Sequence, residues 1–135
     1  MKPEQFKLSK DETDLLVETT DFGVFLGEFL KSIRTSYPNE SAEMQVEIAR
    51  NAVLNLVEKG LVSLCRLTPD NTKNHVYEVN ESTTMTKEQV IAHLGQPINW
   101  EQCTDSEQKE TSYELSPTKL GEEMLDHIFS IKGNN

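Results

Sequence analysis

The run Ala49-Arg50-Asn51-Ala52-Val53-Leu54-Asn55-Leu56-Val57-Glu58-Lys59-Gly60-Leu61-Val62 changes its period at Gly60. Before the glycine, Val46, Ala49, Val53, Leu56 and Val57 recur at three and four residues, and Ile48 and Ala52 widen the stripe. That spacing predicts a helix with one buried face. Glu40, Glu43, Glu47, Asn51, Asn55 and Glu58 fall on the opposite face. Asn39 or Ser41 can cap its start, and Lys59-Gly60 can end it. After the glycine, Leu61–Leu67 reads as a strand, Thr68–Asn74 as a turn, and His75–Val79 as a returning strand.

Upstream, Ser9-x-x-Glu12 is a capping box opening a helix that carries Leu15, Leu16 and Thr19. Asp21 and Gly23 mark a break. Phe22, Phe25, Leu26, Phe29, Leu30 and Ile33 then predict a helix over 22–36, stopped before Tyr37-Pro38. Downstream, Thr86-x-x-Gln89 opens a short helix through Val90, Ile91 and Leu94, which Gly95 closes. Pro97–Trp100 leads into a polar loop over 101–109, and Ser112–Leu115 reads as a short strand. Ser116-Pro117 places a proline at the first position of a last helix, with Leu120, Met124, Leu125, Ile128, Phe129 and Ile131 as its apolar face. Gly121 weakens its first turn.

Three helices followed by a hairpin is the element order of the winged-helix fold. The junction at 49–62 resembles that family's passage from recognition helix to wing. Tyr113-Glu114-Leu115-Ser116-Pro117-Thr118-Lys119-Leu120-Gly121-Glu122-Glu123 is similar to the strand-to-helix phrase that ends many of its transcription factors. The expected architecture is α+β in a single domain, 1–135. Its winged-helix-like core of three helices plus a β-hairpin wing spans about 9–80, and a C-terminal helix-loop-strand-helix extension spans about 86–131.

Charge argues against the usual function of that fold. The chain of 135 residues holds 13 Lys and Arg against 23 Asp and Glu, a formal charge of −10. Nucleic-acid affinity draws largely on cations neutralising phosphates. The face that would read the major groove leads with Glu40, Glu43 and Glu47, and Arg50 sits three residues beyond Glu47, in reach of a helix ion pair. Residues 31–73 are nearly neutral, with six basic and five acidic side chains, so the flanks carry the negative charge. Nucleic acid is an unfavourable partner, and so is an anionic membrane surface. A basic protein is the complementary one, although acidity also serves solubility.

Small acidic domains of this type resemble bacterial immunity proteins, including those of contact-dependent growth inhibition systems. The resemblance implies a binding protein that neutralises a basic toxin, a nuclease for preference, by covering its active site. The alternative is a DNA-binding winged-helix regulator in which Arg34, Arg50, Arg66 and Lys73 converge. An adaptor for another protein is a third possibility.

Two groups are candidates for toxin binding. Glu40, Glu43 and Glu47 form either a partner-facing row or a solvated helix start favoured by the helix dipole. Trp100 with Glu101, Asp105, Glu107 and Glu110 forms either an acidic clasp around an aromatic anchor or a solvated loop beside a core tryptophan.

No enzyme is expected. His75, His93 and His127 share no ligand spacing with Cys65 or Cys103, so neither metal nor cofactor is called for. Asp126-His127 lacks a nucleophile elbow, and the six glycines are scattered singly. Two cysteines and a start without an apolar core region or cleavage site point to free thiols in a cytoplasmic protein. No stretch approaches the roughly 20 apolar residues of a membrane helix.

Overall fold

Ser9 opens the first helix as its spacing predicts: its Oγ accepts from the Glu12 amide at 3.1 Å. The structure, a computed structural model, describes residues 7–20, 23–69, 79–101 and 112–133. Helix α1 spans Lys10–Glu18 and buries Leu15 and Leu16 completely. Thr19 closes it, buried, with its hydroxyl donating to the Leu16 carbonyl at 2.6 Å.

The next helix starts later than the aromatic spacing predicts. Helix α2 spans Leu26–Ser36, while Val24 pairs with Leu115 as an antiparallel bridge, exchanging hydrogen bonds of 2.9 and 2.8 Å. Phe25 is the N-cap although its side chain has no acceptor. Glu28 compensates, its carboxylate taking the Phe25 amide at 3.1 Å. Val24 and Phe25 therefore enter the core from extended chain, a geometry that a three-and-four pattern does not distinguish from helix, and Phe22 lies outside the described residues.

Helix α3 spans Ala42–Glu58, with Ser41 Oγ accepting from the Met44 amide at 3.1 Å. Its buried stripe is Gln45, Ala49, Ala52, Val53 and Leu56, so Val46 and Val57 lie at its half-buried margins. Gln45 is tolerated inside because its Nε2 donates to the Tyr37 carbonyl at 2.9 Å. Gly60 ends the helix at φ 75°, the left-handed conformation that favours glycine.

Three antiparallel strands follow in the order β2-β1-β3, with β1 (Val62–Pro69) central. Strand β2 runs Val79–Thr84, so the return strand continues past Val79, where the sequence reading ended it; 75–78 lie outside the described residues. Strand β3 (Ser112–Pro117) lies on the other edge of β1, with Leu64 opposite Leu115 and Val62 opposite Pro117. The strand expected in an extension thus belongs to the same sheet as the hairpin.

Between β2 and β3 comes helix α4 (Lys87–Leu94), opened by Thr86 and Gln89 in the expected reciprocal box. A 3-10 turn at Pro97–Trp100 folds back on it. The last helix, α5, spans Lys119–Gly133. Pro117 is not its first residue but the end of β3. Thr118 opens the helix instead, accepting from the Gly121 amide at 3.0 Å and donating to the Gly60 carbonyl at 2.6 Å. One buried cluster joins these layers, including Leu15, Phe29, Leu56, Leu64, Trp100 and Leu125.

Candidate functional site

Helix α4 runs antiparallel along the flank of α3. Its first residue, Lys87, reaches the last residue of α3, Glu58, at 3.0 Å. Its C-terminal end, Leu94-Gly95, faces Val46, Glu47 and Arg50 across a groove. The chain is locked there by two side chains of the 3-10 turn. Asn99 Nδ2 donates to the His93 carbonyl at 2.8 Å, and Trp100 Nε1 to the Leu94 carbonyl at 2.9 Å. Both carbonyls belong to the last turn of α4; that of His93 also accepts from the Gln96 amide at 3.3 Å, and that of Leu94 has no later helical amide to satisfy it.

The groove between α2, α3 and this α4-turn unit has a volume of about 690 Å3. That lies within the roughly 300–1,000 Å3 of ordinary ligand sites. Its floor is apolar: Leu30, Leu94 and Trp100 are buried, and Val46 is half-buried. On the α2 wall stand Lys31 and Arg34, three residues apart and both exposed. The α3 wall carries Glu43 and the Glu47–Arg50 ion pair, and Glu101 stands at the turn. Among the described residues, Lys31, Arg34 and Glu43 form no ion pair.

Four of the sequence-predicted residues therefore meet: Glu43, Glu47, Trp100 and Glu101 line one groove. Glu40 is exposed in the turn ahead of Ser41 and does not line it; Asp105, Glu107 and Glu110 lie outside the described residues. Trp100 is 4% exposed, so the indole is a wall of the core and floor of the groove rather than a protruding anchor. The cations considered for DNA separate. Arg34 and Arg50 reach the groove with Lys31, Arg66 stands exposed on β1, and Lys73 lies outside the described residues.

Three basic and three acidic side chains line the groove, which is locally neutral. The other 10 of 13 basic and 20 of 23 acidic residues, and so the whole excess charge, lie elsewhere. Part of that excess forms a furrow that the sequence reading did not single out. Asp11, Asp14 and Glu18 stand along α1 beside Ser32 of α2, and Glu28 continues the line. Burial pushes the Glu18 carboxyl above its ordinary value; Ser32, donating at 2.6 Å, opposes this, and the neighbouring Asp14 and Glu28 charges add to it. The three-and-seven spacing of acids along α1 was the available signal.

Among the described residues no group of three or more His, Cys, Asp or Glu is placed to hold a metal ion. Nor is any helix among them long and apolar enough to cross a membrane. Comparison with known proteins adds no relative: no family model matches the chain, and neither a curated protein nor a solved structure matches it.

Proposed function

We propose that this chain is a cytoplasmic immunity protein, which neutralises a basic toxin, a nuclease for preference, by stoichiometric binding. The observation that carries the reading is the division of charge: a neutral, apolar-floored groove in a chain of −10. Protein interfaces concentrate binding energy in a few buried central side chains, the part that the apolar floor can play, while the surrounding field speeds encounter with a partner of opposite sign. The scaffold we infer is a winged helix. Helix order, the Val24 bridge beside β3, and β3 paired to β1 support it, with β2 added on the far edge of β1 and α4 inserted in the chain between β2 and β3.

On that scaffold α3 would be the DNA-reading helix, and two features disfavour that use. Arg50 is engaged by Glu47, and α4 is held along the flank of α3 by Lys87 and Glu58. A major groove about 12 Å wide admits one helix, not two side by side. The regulator reading retains one favourable observation, the convergence of Lys31, Arg34 and Arg50.

The test is a titration of purified protein into basic nuclease domains encoded beside its gene. A 1:1 complex and loss of nuclease activity at equimolar ratio are expected. Full activity at tenfold excess of this protein would refute the proposal. Duplex DNA retarded at 150 mM salt, and released by Arg34→Glu, would install the regulator instead.

A further inference from the structure

The groove has opposite charges on facing walls, and that asymmetry describes its occupant. Lys31 and Arg34 stand on α2 and Glu43 on α3, none of them in an ion pair among the described residues. Arg50 and Glu47 neutralise each other on the same α3 wall, and Glu101 stands apart from both walls, at the turn. Between the walls, the floor of Leu30, Val46, Leu94 and Trp100 offers apolar surface and no free indole donor, because Trp100 Nε1 is committed to Leu94. The floor is also tied down, since Trp100 and Asn99 hydrogen-bond the turn to the end of α4.

We propose that the groove takes a short segment of the protein partner that inserts one large apolar side chain, leucine or aromatic, onto this floor. An Asp or Glu within a few residues of that anchor faces Lys31 and Arg34, and a Lys or Arg on its other side faces Glu43. The inference rests on the reading of the chain as a protein-binding module and specifies the part of the partner it grips. Arginine and lysine on one wall select a carboxylate, and Glu43 repels it from the other, so the charges fix the direction of the segment as well as its identity. The apolar anchor supplies the affinity, as buried central side chains do in most interfaces.

The test uses the full chain and random twelve-residue peptides displayed on phage, followed by synthesis of the selected consensus. The expected consensus is acidic–apolar–basic, with binding measured by fluorescence polarisation. Arg34→Glu should weaken the consensus peptide at least tenfold, and exchanging the peptide's acid for lysine should restore the loss. Val46→Glu should weaken both peptides.

A consensus without the acid, affinity indifferent to Arg34→Glu, or failure to select any peptide would overturn the proposal. So would a concentration-dependent dimer that Arg34→Glu abolishes, because the occupant would then be a second copy of this chain. Nuclease inhibition is read separately. Its absence beside an intact peptide consensus refutes the immunity reading alone, and inhibition that survives both variants refutes the groove assignment alone.

Discussion

Lys59 Nζ lies 2.6 Å from Glu12 Oε1, an ion pair that ties the first turn of α1 to the C-cap of α3. The carboxylate is buried and the ammonium partly exposed. Asn55 Nδ2 adds a second contact at 3.3 Å, and the same ammonium reaches the Lys7 carbonyl at 3.3 Å. Burial alone would raise the Glu12 carboxyl, but Lys59, Asn55 and Ser9 together outweigh it and hold the pKa below the ordinary value. A depressed carboxyl stabilises the fold above the unfolded-state pKa of about 4.3, and the stabilisation is lost as pH falls through the lower folded-state value. Glu12→Gln should therefore cost about 1–3 kcal/mol at pH 7. The gap from wild type should close as pH falls through the folded-state value, below about 4.3. Urea unfolding at a series of pH values measures both; a gap constant with pH would refute the charge argument.

Glycine at 121 is a packing requirement. A Cβ there would lie 2.0 Å from the Leu61 carbonyl oxygen, backbone that cannot turn aside. Gly121→Ala should destabilise by about 1–3 kcal/mol through overpacking, despite a helix-propensity gain of about 1 kcal/mol. Gly95 provides the contrast, because its added Cβ would meet the Ala92 carbonyl oxygen at an ordinary 3.5 Å. Gly95→Ala should be within about 0.5 kcal/mol of wild type, typical of an uncomplicated surface change. Thermal melts of the two variants side by side decide whether α5 needs this close approach.

His93 lies against Tyr113 with ring centroids 4.1 Å apart, and its buried Nε2 has no hydrogen-bond partner among the described residues. Burial lowers its pKa below the ordinary value. A histidine depressed by burial costs the fold nothing through its charge above the unfolded-state pKa of about 6.5, and it destabilises progressively as pH falls from there towards the folded-state value, because the unfolded chain takes up the proton first. His93→Phe keeps the ring contact and removes the orphaned nitrogen. It should raise stability by about 1 kcal/mol at pH 7 and by more at pH 5.5. Denaturant midpoints at the two pH values measure the difference, and a variant less stable at both would show that the imidazole has a partner in the folded chain.

Local signals were legible where one side chain meets one backbone group. Ser9, Ser41 and Thr86 cap the helices that their spacing implied, because a cap needs only chain neighbours. Long-range pairing was not. Val24 becomes extended because Leu115, far along the chain, supplies its hydrogen bonds, and no periodicity around residue 24 records that partner. Pro117 carries an N1 signal but sits opposite Val62 at the end of a strand, leaving the helix start to Thr118. The site divided in the same way. Glu43 and Glu47 share a helix face by spacing alone, whereas their approach to Trp100 and Lys31 depends on how α2 and α4 pack around α3.

Trp100, the single tryptophan, reports on this packing. Its ring is 4% exposed, and its Nε1 donates to the Leu94 carbonyl at 2.9 Å, so emission from the folded chain should be blue-shifted and poorly quenched by acrylamide. Unfolding in urea should shift the emission red in a single transition, coincident with loss of helical circular dichroism, because Trp100 belongs to the same buried cluster as Leu15, Leu56 and Leu125. Trp100→Phe retains an aromatic ring but leaves the Leu94 carbonyl without its donor. It should cost about 1–3 kcal/mol, the usual penalty for orphaning a buried polar group. The loosened turn should also widen the groove, so consensus-peptide affinity should fall while Glu43, Lys31 and Arg34 are unchanged. An emission maximum matching free tryptophan, or a fluorescence transition well before the helical one, would place the indole outside the core and remove the floor on which the groove is built.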